Sequence, residues 1–174
     1  MGSLLTIEIE TSRFHLRELT VDDASDRYLG WFADPDAAKY ISAAAQTHQL
    51  GELRDFIRAR AGRRDVLFLG IFDRPSGLHV GNIKYEPVDE AAGYAVMGML
   101  IGEPDFRSRG VAREVLDATG AWLRDHRNIH EIVLGVHEDN LAAIRAYQRA
   151  GFRIESTPHL PAVAAGGVTM LKRL

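Results

Sequence analysis

The hydrophobic and polar positions in the first third of the chain predict one strand followed by two helices. Apolar and polar residues alternate over 14–19, which is typical of a half-exposed strand. Apolar residues then recur at helical spacing over 21–32 and again over 50–61. Thr20 is positioned to cap the first of these helices, and Gly62 is a stop signal for the second.

The middle of the chain has the pattern of three antiparallel strands. Residues 66–72 are apolar almost throughout, which predicts a strand buried on both faces. Turn residues at 73–77 separate this strand from a hairpin partner at 79–85. A third strand over 92–101 would complete an antiparallel meander.

The second half of the chain alternates between helix and strand. Apolar residues form one stripe of an amphipathic helix over 111–123, and a short buried strand follows at 132–136. A second helix is predicted over 141–148, and short strands over 152–154 and 168–171. Strands that alternate with helices after a meander predict one mixed α/β sheet.

The composition fits one globular domain covering residues 1–174. Of the 174 residues 46% are hydrophobic and 26% are charged, which is the profile of a chain that buries its own core. The formal net charge of −3 gives no basic surplus for nucleic acid. Cysteine is absent, which excludes disulfides, thiolate metal sites and an acyl-cysteine intermediate. Since no apolar stretch is long enough to cross a membrane and no secretion signal is present, we expect a cytoplasmic protein without nucleic-acid or membrane partners.

The segment 105–112 is the first candidate site, because it joins a predicted strand to a predicted helix. A helix N-terminus presents unpaired N–H groups and a partial positive charge, so it binds phosphate readily. Gly110 lets the backbone approach an anion closely, and Ala112 keeps the first turn narrow. Arg107 and Arg109 add positive charge. Taken alone, the segment is equally compatible with an ordinary loop that carries two solvated arginines.

A second candidate lies about thirty residues further on. Asn140 follows a predicted strand and can cap the next helix. Tyr147 lies two turns later, on the helix face that carries Ala143 and Ile144. Taken alone, this tyrosine is as well explained as a core aromatic residue.

Together the two segments resemble the GNAT superfamily of N-acetyltransferases. The pyrophosphate loop of that family, Arg/Gln-x-x-Gly-x-Gly/Ala, is matched by Arg107, Gly110 and Ala112. Its second motif, Asn-x-x-Ala-x-x-x-Tyr-x-x-x-Gly-Phe, is matched by Asn140, Ala143, Tyr147, Gly151 and Phe152. The order of predicted elements also agrees, so the resemblance covers residues 13–154.

Parts of the chain also resemble a narrower branch, which includes the ribosomal-protein alanine acetyltransferases and the acetyltransferases of nucleotide-linked amino sugars. This similarity lies in residues 16–19, 28–36 and 81–84. The resemblance implies an α/β (α+β) fold with a mixed, mostly antiparallel sheet of six to seven strands and about four flanking helices. It also implies that the sheet is splayed between the family's fourth and fifth strands.

The resemblance implies acetyl-CoA as co-substrate, held in that split. Residues 99–101 would bind the pantetheine arm like an added strand, and one amide there would stabilise the oxyanion. Backbone N–H groups over 108–112 would hold the pyrophosphate. The full implied cofactor-binding set is Met99, Leu100, Ile101, Arg107, Ser108, Arg109, Gly110, Val111, Ala112, Asn140, Ala143 and Tyr147.

Tyr147 is the catalytic residue that the resemblance implies, as the proton donor to the departing thiolate. The Asn140 side chain would contact the cofactor near the thioester. Ala143 occupies a position where some members of the branch carry serine, which removes one hydrogen bond to the cofactor. Because the chain has no cysteine to form an acyl-enzyme, we expect the amine to attack acetyl-CoA directly.

Direct attack requires a neutral amine, so a base or a water chain leading to one is expected. The candidates are Glu86, Asp89, Glu90, His137 and Glu138, and the sequence does not single out one of them. A metal site is not expected. His126 and His130 lack a third ligand, and Leu141 replaces the second histidine of a zinc-protease motif that would begin at His137.

The acceptor is left open by the sequence, with a small amine or an amino sugar slightly favoured over a protein N-terminus. The segments 34–48 and 161–167 would shape its pocket, and both are rich in alanine. A non-catalytic acyl-CoA-binding module is the alternative from another class. An exposed edge strand could also pair two copies into a homodimer.

Overall fold

The computed structural model describes residues 6–40, 47–160 and 165–174. Within these ranges the strands are β1 (Glu8–Glu10), β2 (Phe14–Glu18), β3 (Leu67–Asp73), β4 (His79–Asp89), β5 (Tyr94–Ile101), β6 (Glu131–His137), β7 (Arg153–Ile154) and β8 (Gly167–Arg173). The α-helices are α1 (Asp26–Trp31), α2 (Pro35–Ala38), α3 (Leu50–Arg58), α4 (Val111–Arg127) and α5 (Leu141–Arg149). None of the helices in the described ranges is long and apolar enough to cross a membrane.

All the strands belong to one sheet with the order β1-β2-β3-β4-β5-β6-β8-β7. Neighbouring strands are antiparallel except β5 and β6, which are parallel and are connected by the crossover helix α4. The predicted mixed, mostly antiparallel sheet is therefore confirmed. The sheet has one strand more than the sequence predicts, because the three residues of β1 are too few to show an alternating pattern.

The parallel strands β5 and β6 part after three paired residues, and the last pair is Val96 with Val133. From there β5 runs on to Ile101 and β6 to His137 with no further pairing between them. Along this stretch β6 pairs only with β8. The predicted split between the family's fourth and fifth strands is confirmed. These strands are β5 and β6 here because β1 precedes them.

The two faces of the sheet carry separate apolar cores. The larger core packs α4 and α5 against one face, and its fully buried members include Leu16, Leu69, Ile83, Leu116 and Ile132. On the other face, α1 and α3 contribute Tyr28, Trp31, Leu53 and Ile57, which pack with Phe68 and Phe72 of β3. On this second face the region where β5 and β6 part stays open, because Gly98 and Gly135 are exposed.

The helix predicted over 21–32 is shorter than its pattern indicates. Residues Val21–Asp23 form a 3-10 turn, in which the Asp23 carboxylate accepts the Thr20 N–H at 2.7 Å. The helix α1 begins only at Asp26, because the Ser25 hydroxyl caps it by accepting the Tyr28 N–H at 3.1 Å. Thr20 is therefore the N-cap of the 3-10 turn, as its position predicts, and Ser25 rather than Thr20 caps α1. The other predicted elements are present, with their ends shifted by a few residues.

Candidate active site

A cavity of about 1160 Å³ opens where β5 and β6 part. This volume exceeds the usual range for a single small-ligand pocket of roughly 300–1000 Å³. Its lining includes eleven of the twelve predicted cofactor-binding residues: Met99, Leu100, Ile101, Arg107, Ser108, Gly110, Val111, Ala112, Asn140, Ala143 and Tyr147. Arg109 is exposed and does not belong to the lining. Both sequence motifs therefore border one cavity.

The loop before α4 presents a row of free N–H groups to this cavity. Ser108 and Gly110 have φ angles of 58° and 73°, in the left-handed region, and Gly110 is the N-cap of α4. Within the described part of the chain, the backbone N–H groups of 108–113 donate to no protein atom. A Cβ added at Gly110 would have only Arg13 Nη2, 3.9 Å away, within reach. The loop therefore has donors, a helix N-terminus and space for a diphosphate.

The first turn of α4 is fixed to the turn between β1 and β2 through Glu114. Its carboxylate accepts from Arg13 Nε at 2.6 Å, from the Arg13 N–H at 2.8 Å and from the Thr11 hydroxyl at 2.7 Å. Burial acts to raise the pKa of Glu114, but these hydrogen bonds hold it below the ordinary value. Arg13 also donates to the Arg109 carbonyl at 3.0 Å, so the loop is anchored from this side too.

The side chain of Arg107 ties the loop to α2. Its Nε donates to the Ile101 carbonyl at 3.0 Å, and its Nη2 donates to the Gly102 carbonyl and to Asp34 Oδ2, both at 2.8 Å. Asp34 is itself the N-cap of α2. The sequence suggests Arg107 only as a charge near phosphate. In the structure much of its donor capacity serves to hold the end of β5.

A second tie joins the same loop to α1. Trp31 Nε1 donates to Glu103 Oε1 at 2.9 Å, and Arg27 forms an ion pair with the same oxygen at 3.1 Å. The indole ring lies directly on Gly102, where an added Cβ would be 1.9 Å from the ring. Only glycine therefore fits at this point, and the end of β5 is held against α1.

Asn140 and Tyr147 come from α5 on the opposite side of the cavity. The Asn140 side chain caps α5 by accepting the Ala143 N–H at 3.3 Å, as its sequence position predicts. The Tyr147 ring packs against Phe152 with 5.8 Å between the ring centres. Burial raises the pKa of Tyr147 to about 12. Its hydroxyl has no hydrogen-bond partner among the described residues, and Tyr147 is part of the cavity lining.

Three of the five candidate bases are engaged elsewhere. Glu86 is paired with Arg60 at 2.9 Å and with Lys84 at 3.2 Å. Burial acts to raise the pKa of Glu86, but these two cations hold it below the ordinary value. Glu90 is paired with Arg127, and Asp89 accepts the Ala92 N–H in the turn between β4 and β5. None of the three acidic residues lines the cavity.

The last two candidate bases, His137 and Glu138, lie at the end of β6. His137 lines the cavity and stacks on Tyr40 with 5.5 Å between ring centres, whereas Glu138 is exposed and is not in the lining. His137 Nδ1 accepts the Asp139 N–H at 3.2 Å, so the neutral ring carries its proton on Nε2. Neither residue is therefore presented as a ready base.

The cavity extends over the second face of the sheet, where sequence analysis had named few residues. Its wall there is built from Tyr28, Phe32, Phe56, Phe68, Asn82 and Lys84. No local sequence signal put these residues on one face, because it is the register between β3 and β4 that pairs Phe68 with Lys84. Of the predicted pocket segment 34–48, the residues Asp36, Lys39 and Tyr40 line the cavity, and 41–46 lie outside the described residues. Of 161–167, Gly167 lines it, and 161–164 lie outside the described residues.

The comparison with protein families agrees with this geometry. Residues 13–153 match the family described as the acetyltransferase (GNAT) domain. The chain therefore belongs to the GNAT acetyltransferases, and the predicted family and acyltransferase class are confirmed.

Solved structures share the whole fold at low sequence identity. A GNAT-family acetyltransferase from Bacillus anthracis is 18% identical, with 96% of this chain and 98% of that chain covered and a TM-score of 0.78. The ribosomal L7/L12 α-N-protein acetyltransferase RimL, in complex with coenzyme A, is 14% identical, with 97% and 98% covered and a TM-score of 0.81. The microcin C7 self-immunity acetyltransferase MccE, in complex with acetyl-CoA and AMP, is 16% identical, with 94% and 93% covered and a TM-score of 0.79.

Proposed function

We propose that this protein is an acetyl-CoA-dependent N-acetyltransferase that transfers the acetyl group directly to the primary amine of a small molecule or an amino sugar. The proposal includes one N-acetyltransferase domain over residues 1–174, acting in the cytoplasm. The observation that carries it is the position of Tyr147, which lines the same cavity as the anion-binding loop 108–113 and the free edge of β5.

The residues around the cavity fit the parts of acetyl-CoA. The free N–H groups of 108–113 and the open space at Gly110 suit its diphosphate. The edge of β5 beyond Val96 is unpaired, so its N–H and C=O groups can bind an extended arm as an added strand. Acetyl-CoA supplies the acetyl thioester. RimL and MccE, which share the fold, were solved with coenzyme A and with acetyl-CoA.

The residue of this chain that takes part in the chemistry is Tyr147, which keeps a proton for the leaving sulfur. Since burial raises the pKa of Tyr147 to about 12, its hydroxyl stays protonated at neutral pH. A thiol has an ordinary pKa of about 8.5, which is below that of Tyr147, so the hydroxyl stabilises the departing thiolate chiefly as a hydrogen-bond donor. Because the chain has no cysteine that could form an acyl-enzyme, the amine attacks the thioester directly.

Two alternatives remain distinguishable from this proposal. A protein N-terminus as acceptor would need an open groove, and the name of RimL describes such an activity. A non-catalytic acyl-CoA-binding module would need the loop but no proton donor at the sulfur. The free Tyr147 hydroxyl supports the enzyme over the module.

The experiment that tests the proposal is calorimetric titration with acetyl-CoA and with free CoA, followed by an assay of thiol release with a panel of amines. We expect micromolar binding of both ligands, weakened when Gly110 and Arg109 are changed, and thiol release that depends on an added amine. Binding without release for small amines, amino sugars or an N-terminal peptide would favour the module. Absence of binding would overturn the proposed function.

A further inference from the structure

A row of residues crosses the second face of the sheet and leads to the split. The pairing register puts Phe68 of β3 beside Lys84 of β4, and Lys84 beside Gly98 of β5. Paired residues point to the same face of a sheet, so these three residues form a line. Gly135 of β6 continues the row, because Gly98 and Gly135 each lie two residues beyond the last pair between β5 and β6.

The two glycines leave this row open to the cavity. Gly98 and Gly135 are exposed although both lie inside strands, and both line the cavity. A Cβ added at Gly98 would meet no heavy atom within 4 Å. Among the described residues no side chain therefore covers the sheet at Gly98, and an acceptor amine can reach the split from this face. The opposite face is filled by the core under α4.

Lys84 is the charged member of the row, one strand away from Gly98. Its side chain is 30% exposed, and its Nζ lies 3.2 Å from Glu86. Glu86 is also paired with Arg60 at 2.9 Å and with Arg63 at 3.0 Å, and Arg63 is paired with Asp65 at 2.7 Å. Three cations thus share two carboxylates, which leaves this cluster with a net positive charge. Lys84 is the member of the cluster that lines the cavity.

The remaining charges around the cavity are mainly positive. Asp36 is the one carboxylate in the lining formed by the described residues, and the positive charge of Lys39 in the same lining offsets it. The other charged lining residues are Lys84, Arg107, Arg113 and Arg149. A cavity lined mainly by one sign of charge attracts ligands of the opposite sign and disfavours polycations.

We propose that the acceptor is a small amine that also carries an anionic group, a carboxylate or a phosphate, which Lys84 binds while the amine lies over Gly98 and Gly135. Neighbouring strands are about 4.8 Å apart, so the anionic group is roughly 5–10 Å from the reacting nitrogen. Phe68 lies beside Lys84 in the row, and the Phe56 ring centre is 5.5 Å from Lys84 Nζ, so the carbon skeleton has an apolar surface to pack on. The inference rests on the proposed function and narrows the class of amine that accepts the acetyl group.

The test uses pairs of acceptors that differ in the anionic group alone. One pair is 4-aminobutanoate and 4-aminobutanamide, the other is glucosamine 6-phosphate and glucosamine, and spermidine serves as a polycation. We expect the anionic member of at least one pair to have a kcat/KM about tenfold or more above its neutral partner, and spermidine to be the poorest acceptor. The pair with the larger ratio tells whether the group is a carboxylate or a phosphate.

The Lys84→Gln variant should remove the preference by lowering kcat/KM for the anionic amine about 10- to 100-fold, with the neutral amine and the acetyl-CoA affinity little changed. The Lys84→Arg variant should keep most of the preference. Lys172→Gln is the matched control, because Lys172 pairs with Asp117 at 3.0 Å and lies outside the cavity lining.

The outcomes separate this inference from the proposed function. A preference that survives in Lys84→Gln, or a wild-type preference for neutral amines or spermidine, overturns the inference. A protein that binds acetyl-CoA but acetylates none of the anionic amines overturns it as well, and leaves the cofactor site standing. A protein that does not bind acetyl-CoA at all overturns the proposed function itself.

Discussion

Arg107 and Asp34 are joined by an ion pair of 2.8 Å between Nη2 and Oδ2, although 73 positions separate them in the chain. Through this pair the loop that follows β5 is attached to the N-cap residue of α2. The helix α2 and the residues after it border the acceptor side of the cavity, where Asp36, Lys39 and Tyr40 lie. The ion pair therefore fixes the position of the loop after β5 relative to α2 and to the cavity wall that α2 borders.

The Arg107–Asp34 pair should show measurable coupling in a double-mutant cycle. The two side chains are 27% and 28% exposed, so we expect a coupling free energy of about 0.5–1.5 kcal/mol from Arg107→Gln, Asp34→Asn and the double variant. The measurement is the free energy of unfolding in urea. The exposed neighbours Arg124 and Asp125 provide the control cycle, for which a coupling near zero is expected. If the effects of Arg107→Gln and Asp34→Asn on the free energy of unfolding are additive, the ion pair does not stabilise the fold.

Tyr147→Phe should separate turnover from cofactor binding. We expect kcat to fall about 100-fold, at the lower end of general acid catalysis, because a thiolate is a tolerable leaving group even without protonation. Acetyl-CoA affinity should stay within about twofold, since the phenyl ring keeps the contact with Phe152. Tyr94→Phe is the control, because Tyr94 stacks on His159 away from the cavity lining. Wild-type turnover in Tyr147→Phe would remove Tyr147 as the acid.

The ionisation of Tyr147 should not cause kcat/KM to fall at high pH. The acid must be protonated to act, and with a pKa of about 12 it remains so up to pH 10, where only about one part in a hundred is ionised. The acceptor must be neutral to attack, so kcat/KM for the amine should rise with pH and then level off. The check is the profile between pH 6 and pH 10 at saturating acetyl-CoA. A fall within this range that disappears in Tyr147→Phe would show that the hydroxyl ionises earlier than its burial implies.

The sequence predicted the residues around the loop 105–112 and α5 that line the cavity, because local signals define them. Gly110 and Asn140 are predictable as helix starts from residue type and spacing, and the structure has α4 and α5 begin directly after them. The split between β5 and β6 followed from the resemblance rather than from periodicity. Its structural origin is the pairing that ends at Val96 and Val133.

The acceptor side was not predictable to the same degree, because long-range register builds it. Lys84 lies beside Phe68 and Gly98 because of the strand pairing, which no local sequence pattern predicts. The same is true of Arg107, whose partner Asp34 no local pattern indicates. The candidate bases were chosen for their nearness to strand ends, and the ion pairs that engage Glu86 are likewise tertiary.

Gly110→Ala should weaken acetyl-CoA binding through the backbone of the loop. Gly110 has φ 73°, and a left-handed residue with a side chain costs about 1–2 kcal/mol. Relief of this strain would shift the N–H groups of 108–113, so we expect affinity to fall about tenfold or more. Gly77→Ala is a matched control, since Gly77 has φ 70° and open space at its Cβ position but lies in the turn between β3 and β4. Both variants should lose similar stability, and only Gly110→Ala should lose affinity.

Gly98→Ala should stabilise the fold and impair the acceptor. A glycine inside a strand is less stable than alanine by about 0.5–1 kcal/mol, and the Cβ position of Gly98 is free of contacts, so the free energy of unfolding should rise. The added methyl group projects into the cavity on the face where the amine approaches, so KM for the acceptor should rise several-fold while acetyl-CoA affinity stays the same. Gly51→Ala in α3 is the control: its Cβ position is also free, so stability should rise without a kinetic effect. Equal kinetics for Gly98→Ala and Gly51→Ala would mean that the amine reaches the split by another route.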